Sequence, residues 1–332
     1  MPLEAPVPAA SPAMALLRAS LSALETEAGR MAGLNFVPRA GDVFIVTPPK
    51  CGTTLLQAIV HSLRSGGDMA FDEISLVIPC LEMAHDYGYG DLQAAQPGAP
   101  PRAFKTHLWR PHCPAAPGVR HIVVLRDPLD AGPSFFDFMA GWFFPQGAID
   151  LDEFLTGLYL SRGAPASPMH NASYWHFLAS WWPARTDASV LLLFYEDLVE
   201  DLPAGVKLVA DFLGPAAGAG DAGAQALAVE QASIAHMRAH ASKFDEHMLK
   251  AARNAACGLP PGAGGAASGA AGKVHVGGAG RGAARISAAT RAAMGARWAE
   301  VALPATGHAS YAELRCAANA ELGRPFGGGG AA

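Results

Sequence analysis

The chain has 332 residues, 51% of them hydrophobic, which is enough to bury the core of one large α/β domain or two small ones. Its net charge of -5 comes without a basic stripe or an arginine cluster, which argues against nucleic acid as the main partner. The cysteines (Cys51, Cys80, Cys113, Cys257 and Cys316) are odd in number and widely spaced, without a C-x-x-C pair. Free thiols in a reducing compartment are expected, not a zinc cluster or a disulfide framework. No uninterrupted apolar stretch is long enough to span a bilayer, and the N-terminus lacks a charged-then-apolar leader pattern. A soluble, cytoplasmic protein with no membrane partner is the expectation.

Residues 1–11 are rich in Pro and Ala and are expected to be mobile. Across 12–33, Met14, Leu16, Leu17, Leu21, Leu24 and Met31 predict an amphipathic helix that covers one side of the fold. The apolar run Val43 to Thr47 reads as a buried strand, stopped by Pro48 and Pro49. Lys50-Cys51-Gly52-Thr53-Thr54 is a tight turn, after which Leu55, Leu56, Ile59, Val60 and Leu63 recur at helical spacing. Strand, small-residue turn and helix together converge unpaired backbone N–H groups and a positive dipole end on one point. That makes an anion site, with phosphate the usual anion. Lys50 adds a full charge there, and Thr53 and Thr54 add hydroxyls. The lysine lies two residues before Gly52, so the loop is not a Walker A motif, in which the lysine follows the last glycine.

Residues 66–101 are irregular and read either as a wall of a substrate pocket or as a surface excursion, with Tyr87-Gly88-Tyr89-Gly90 as a mobile loop. Ala103 to Leu108 predicts a short strand on which Lys105 and His107 share a face. A single histidine in such a place is more often structural than catalytic. His121 to Leu125 is a buried strand running into Arg126-Asp127-Pro128-Leu129-Asp130-Ala131-Gly132-Pro133-Ser134. Asp130 is expected to cap the following helix, with Pro133 in its first turn. Arg126 and Ser134 then face one crevice at the strand ends, although a salt bridge from Arg126 to Asp127 or Asp130 is the plainer alternative. The aromatic residues between 141 and 189 are expected to be mostly helix core, with Phe143 and Phe144 as candidates for an acceptor pocket. Val190 to Phe194 is another buried strand, followed by Tyr195-Glu196-Asp197-Leu198, and Val206 to Leu213 ends a helix. Residues 214–223 and 257–272 are Gly/Ala-rich and are expected to be flexible insertions in a single domain spanning 12–323, with 324–332 a disordered tail. His236, His240 and His247 lack the carboxylate pair or cysteine that a metal site calls for, so no metal is expected.

The order Pro-Lys-Cys-Gly-Thr-Thr at 49–54 resembles the 5′-phosphosulfate loop of the cytosolic sulfotransferase family, usually Pro-Lys-Ser-Gly-Thr-Thr. Lys105-Thr106-His107-Leu108, Arg126-Asp127-Pro128-Leu129-Asp130 with Ser134, and Phe194-Tyr195-Glu196-Asp197 resemble three further family segments in the same order. Ser233 and the glycine-rich stretch holding Gly277 and Gly280 resemble two more, so that the likeness runs from residue 41 to about 320.

The resemblance implies a central parallel sheet flanked by helices, related in architecture to nucleotide kinases. It also implies 3′-phosphoadenosine-5′-phosphosulfate (PAPS) as donor, with 3′,5′-adenosine bisphosphate (PAP) as product. By the same resemblance, Lys50, Cys51, Gly52, Thr53 and Thr54 cradle the 5′ side of the donor, and Leu55 stands at the adenine. Arg126 and Ser134 hold the 3′-phosphate, Tyr195 touches the adenine, and Ser233, His275, Gly277 and Gly280 complete the nucleotide site. His107 is the implied general base, Lys50 stabilises the leaving phosphate and Lys105 helps hold the transferring group. Three positions depart from the family pattern: Leu55 and Ile234 stand where aromatic residues are usual, and His275 where a basic residue is usual. The expected reaction moves a sulfuryl group to a hydroxyl or amine of a small organic acceptor that the sequence does not identify. A PAP- or PAPS-binding protein impaired in catalysis is the alternative, and a small-molecule kinase a more distant one.

Overall fold

The computed structural model describes residues 11–94, 96, 100–140, 143–260 and 278–326. Residues 1–10, most of the 257–272 tract, His275, Gly277 and the end of the tail lie outside the described residues.

Four short strands form one parallel sheet: β1 (Val43–Val46), β2 (Ala103–Thr106), β3 (Arg120–Leu125) and β4 (Val190–Phe194), in the order β2-β1-β3-β4. Every residue of these strands is buried except Arg120 at the start of β3, which explains the continuous apolar runs in place of alternation. The pleat sends Phe44, Val46, Phe104, Val123, Leu125, Leu192 and Phe194 into one core layer. Val43, Ile45, Ala103, Ile122, Val124, Leu191 and Leu193 go into the other, against the helices Thr53–Ser65 and Leu202–Leu213. Arg102 grips Asp42 with two parallel bonds, Nε to Oδ1 at 2.8 Å and Nη2 to Oδ2 at 2.6 Å, and so ties together the starts of β1 and β2.

Outside β2 the chain at Pro79–Leu81 adds an isolated parallel bridge: Lys105 N donates to Pro79 O and Leu81 N to Lys105 O, each at 2.9 Å. This pairing carries Cys80 and Glu82 to the edge of the sheet beside Lys105 and His107. Tyr87 is buried and the Tyr89 hydroxyl donates to Leu76 O, so the Tyr87–Gly90 turn, expected as a mobile loop, is pinned to the body.

Two further segments differ from their sequence patterns. The helix expected over 12–33 is two helices, Pro12–Ser22 and Glu27–Leu34. The break arises because Thr26 caps the second one, its Oγ1 accepting from Gly29 N while donating to Asp86 Oδ1. Residues 214–223, expected to be flexible, hold a 3₁₀ turn at Pro215–Ala217 and the start of the helix Ala222–Ala232. Asp221 caps that helix by accepting from Gly223 N and Ala224 N. Local Gly/Ala content did not outweigh that cap and the packing of this helix on Thr53–Ser65.

Candidate functional site

The site lies at the carboxyl ends of the strands, where loops leave an open parallel sheet. After β1 the chain turns through Lys50 (φ +68°) and Gly52 (φ +100°) before the helix Thr53–Ser65 begins. Glycine is required at 52: its backbone is left-handed, and a Cβ there would lie 2.9 Å from Tyr195 Cδ2. The Thr47 and Thr53 hydroxyls share a 2.6 Å hydrogen bond across the turn. Lys50 Nζ sits 4.6 Å above the Phe138 ring. Cys51 is fully buried, and desolvation pushes its thiol far above the ordinary range, so it is a packing residue and not a nucleophile.

Arg126, at the end of β3, stacks on the Tyr195 ring with its Cζ 4.5 Å from the ring centroid. Its Nη1 donates to Lys50 O at 3.0 Å and its Nη2 to Gly278 O at 3.4 Å. The salt bridge to Asp127 or Asp130 considered from sequence does not form. Its Nε is buried without a protein partner, which leaves a donor for an anion. Tyr195 thus lies against Arg126 as well as facing the cavity.

The next helix begins earlier than its sequence suggested. It spans Pro128–Ala140, Asp127 Oδ1 accepts from Leu129 N at 2.8 Å, and Pro133 lies in its interior. Pro128 fills the first helical position, where a missing N–H costs nothing, so Asp127 takes the place expected of Asp130. Pro133 lacks the N–H that would bond Leu129 O. Gly282 passes over that carbonyl so closely that a Cβ would be 2.1 Å from it. Asp130, released from capping, accepts from Gly280 N at 2.5 Å and Gly282 N at 2.6 Å and clamps the late glycine loop onto the helix.

His107 follows β2. Its backbone N donates to Glu82 Oε1 at 2.7 Å, and its Nδ1 lies 2.8 Å from Thr47 O. A carbonyl only accepts, so Nδ1 carries the hydrogen and Nε2 is left as the lone-pair nitrogen. Lys105 is 5% exposed and forms an ion pair with Glu246, whose Oε1 also accepts from Ser75 Oγ at 2.5 Å. The resemblance points Lys105 at a transferring group; its ammonium here meets a carboxylate.

A single cavity of about 1330 Å³ joins these parts. Lys50, Gly52, Thr53, Thr54, Leu55, Lys105, His107, Arg126, Ser134, Tyr195 and Ser233 all line it, whereas Cys51 and Gly280 do not. On one side Leu55, Leu198, Val199, Leu202 and Ile234 make an aliphatic wall, with Val199 and Ile234 notably exposed. On the other, Phe143 lines the cavity but Phe144 is buried in the core. The N-terminal segment (Leu24 and Glu25 between the first two helices, and Arg30) and residues from Arg162 to Asn171 also form its wall, which the sequence patterns do not show. Arg30 is buried there among polar partners, Pro168 O and Asn171 Oδ1, and lies 3.5 Å from Glu25, as a buried arginine must be satisfied.

The residue types fit a nucleotide with two anionic ends: a loop of N–H groups with Lys50 at one, and Arg126 with its unused Nε and Ser134 at the other. The Sulfotransferase domain family model matches residues 40–256, well over half the chain. The chain belongs to the sulfotransferase domain family.

It is similar to human Sulfotransferase 4A1, 31% identical over 188 residues that cover 54% of this chain and 62% of that protein. It is similar to dog (Canis lupus familiaris) Sulfotransferase 1B1 at 28% over 195 residues, covering 54% and 60%. These alignments span less than two thirds of the relatives' own length. Among solved structures it resembles mouse sulfotransferase SULT7A1 complexed with PAP, with a TM-score of 0.59, 19% identity and coverage of 84% of this chain and 90% of that one. It also resembles retinol dehydratase in complex with androsterone and inactive cofactor PAP (TM-score 0.58, 20% identity, coverage 86% and 85%). The fold of this chain is therefore that of the sulfotransferases.

Among the described residues no helix is long and apolar enough to cross a membrane. One group there, Glu73, Asp245 and His247, has possible metal-ligand atoms within 4.8 Å of one another. His247 Nδ1 already bridges the two carboxylates, at 3.0 Å and 2.6 Å. His236 and His240 stack at 4.3 Å between centroids.

Proposed function

We propose that the protein transfers a sulfuryl group from PAPS to a hydroxyl or amine of a small organic acceptor. The observation that carries this reading is His107 in one cavity with Lys50 and Arg126, its Nδ1 on Thr47 O so that Nε2 can take a proton. PAPS supplies the activated sulfuryl group. The acceptor oxygen or nitrogen forms a new bond to sulfur as the bond from sulfur to the bridging phosphate oxygen breaks. The acceptor proton passes to His107 Nε2, and PAP departs carrying the electron pair of the broken bond. Lys50 and the N–H groups at the start of Thr53–Ser65 stabilise the charge that grows on that oxygen. Arg126 and Ser134 bind the 3′-phosphate and Tyr195 with Ser233 flanks the nucleotide, while Gly280 serves through the Asp130 clamp. Lys105 contributes positive charge as far as its pairing with Glu246 leaves it free to.

The experiment is transfer of labelled sulfate from PAPS to a panel of phenols, alcohols and amines. His107→Ala is expected to lower turnover by about 10²–10⁴-fold, the usual size of general-base catalysis, with PAP affinity unchanged. Transfer that survives the substitution at full rate excludes His107 as the base. The aliphatic wall at Leu55, Val199 and Ile234 and the Lys105–Glu246 pair favour a second reading, a PAP-binding protein without turnover. Tight calorimetric binding of PAP with no transfer to any acceptor would decide for it.

A further inference from the structure

Beyond His107 the cavity wall carries an unusual number of charges for an acceptor pocket, and most are matched. Glu25 faces Arg30. Glu246 holds Lys105. Glu82 accepts from His107 N and Cys80 Sγ. Apart from Arg126 and the exposed Arg281 by the late glycine loop, two guanidinium groups are left over. Arg253, in the helix His247–Ala256, is only 3% exposed, yet its Nε and Nη2 both donate to the neutral amide oxygen of its neighbour Asn254, at 3.2 Å and 2.7 Å. No carboxylate pairs with it among the described residues. Arg162 has neither a hydrogen bond nor an ion pair among the described residues, and its Cζ lies 5.7 Å from the centroid of the Phe135 ring. Burial pulls its pKa below the ordinary arginine value. Arginine stays charged even so.

A buried cation with no anion is costly, and an arginine fork is shaped to take an oxyanion by two parallel bonds. Each carboxylate on this wall already has a partner, so nothing there is left to attract a cationic acceptor. A wholly apolar acceptor would bury Arg253 without relief. We infer that the acceptor is a hydroxyl compound that also bears a carboxylate, anchored by Arg253, with Arg162 adding to the positive field along the same wall. The inference rests on the transfer reading for its chemistry, but not for the anion site itself.

The test uses para-hydroxyphenylpropionate and its primary amide, which differ in charge and hardly in shape. Calorimetry with each compound reads the anion site alone, calorimetry with PAP reads the donor site alone, and turnover with PAPS joins them. The acid is expected to bind, and to be turned over in kcat/KM, about tenfold or more better than the amide, the size of one charge-assisted hydrogen bond. Arg253→Gln should erase that preference by weakening the acid far more than the amide, with the PAP affinity within about twofold of the parent. Arg253→Lys should keep part of it, and Arg162→Gln should give a smaller loss of the same sign. Equal binding of acid and amide, binding of neither, or an Arg253→Gln variant that weakens both alike would overturn the inference. Failure to bind PAP, or to turn over either compound, would instead refute the transfer reading while the acid-against-amide binding still stood.

Discussion

Asp130 offers the sharpest test of how the proposed nucleotide site is held together. Its carboxylate accepts from the N–H groups of Gly280 and Gly282, at 2.5 Å and 2.6 Å, and so ties the late glycine loop to the helix Pro128–Ala140, as the Arg285–Asp137 pair does just beyond it. Hydrogen bonds to a charged group are worth about 1.5–3 kcal/mol each, so Asp130→Ala removes at most about 3–6 kcal/mol of local stabilisation. Water recovers part of this once the loop lifts away. A net loss of about 1.5–3 kcal/mol in PAP binding is expected, which is roughly a 10- to 100-fold higher Kd. Asp130→Asn keeps one acceptor oxygen and should lose about half as much in free energy. Calorimetry with PAP measures the affinity, and limited proteolysis near Arg281 and Arg285 reports whether the loop has been released. Unchanged PAP affinity in a folded Asp130→Ala protein would refute the reasoning, because the glycine loop would then contribute nothing to the nucleotide site. A fall in thermal stability without any change in Kd would show instead that the clamp serves the fold alone.

Gly52→Ala forces a non-glycine residue into the left-handed region and against Tyr195. A cost of about 1–3 kcal/mol is expected, seen as a fall in Tm of several degrees together with weaker PAP binding; an unchanged Tm would mean that the turn relaxes freely. Leu55→Trp should tighten PAP binding by about 1 kcal/mol, or roughly fivefold by calorimetry, if Leu55 borders the base; no gain would place the adenine elsewhere in the cavity. Burial raises the pKa of Asp127 from 3.8 to about 6. Its protonated form therefore contributes stability that is fully present below pH 3.8 and lost as pH rises through about 6. Asp127→Asn keeps an oxygen for Leu129 N and never ionises, so the variant should melt above the parent at pH 7 and converge with it near pH 4; parallel melting curves across that range would refute the shift.

The strands were legible because each is buried on both faces and leaves an unbroken apolar run, as Val190 to Phe194 does. The strand–turn–helix unit at Lys50–Thr54 was legible because its three parts lie within one short stretch of sequence. What failed was competition between similar local signals. Pro128 and Pro133 both suit a helix start, and Asp127 and Asp130 both suit a cap. The earlier pair prevailed, since Pro128 at the first position loses no hydrogen bond. Asp130 was then free for a role 150 residues away that no local pattern encodes. Thr26 carried the signal that divides the first helix, but the apolar period running through it from Leu21 to Met31 masked it. The partners of Lys105 and Arg30 were illegible for another reason: Glu246 and Asn171 lie 141 residues from them in the chain, and which polar groups meet depends on the fold.

The two halves of the cavity therefore differ in kind. The half proposed for the nucleotide depends on backbone: Gly52 against Tyr195, Gly282 against the carbonyl that Pro133 leaves unpaired, and N–H groups held by Asp130. Such positions tolerate almost no side-chain change, so they read as motifs in a single sequence. The half proposed for the acceptor depends on charges from segments far apart in the chain, Glu25 with Arg30, Glu246 with Lys105, and Glu82, Arg162 and Arg253. There a substitution changes which partner each charge finds and leaves the path of the backbone alone. Selectivity can thus shift in that half without loss of the donor site, and the same property hides the acceptor from motif reading while leaving it open to a count of paired and unpaired charges.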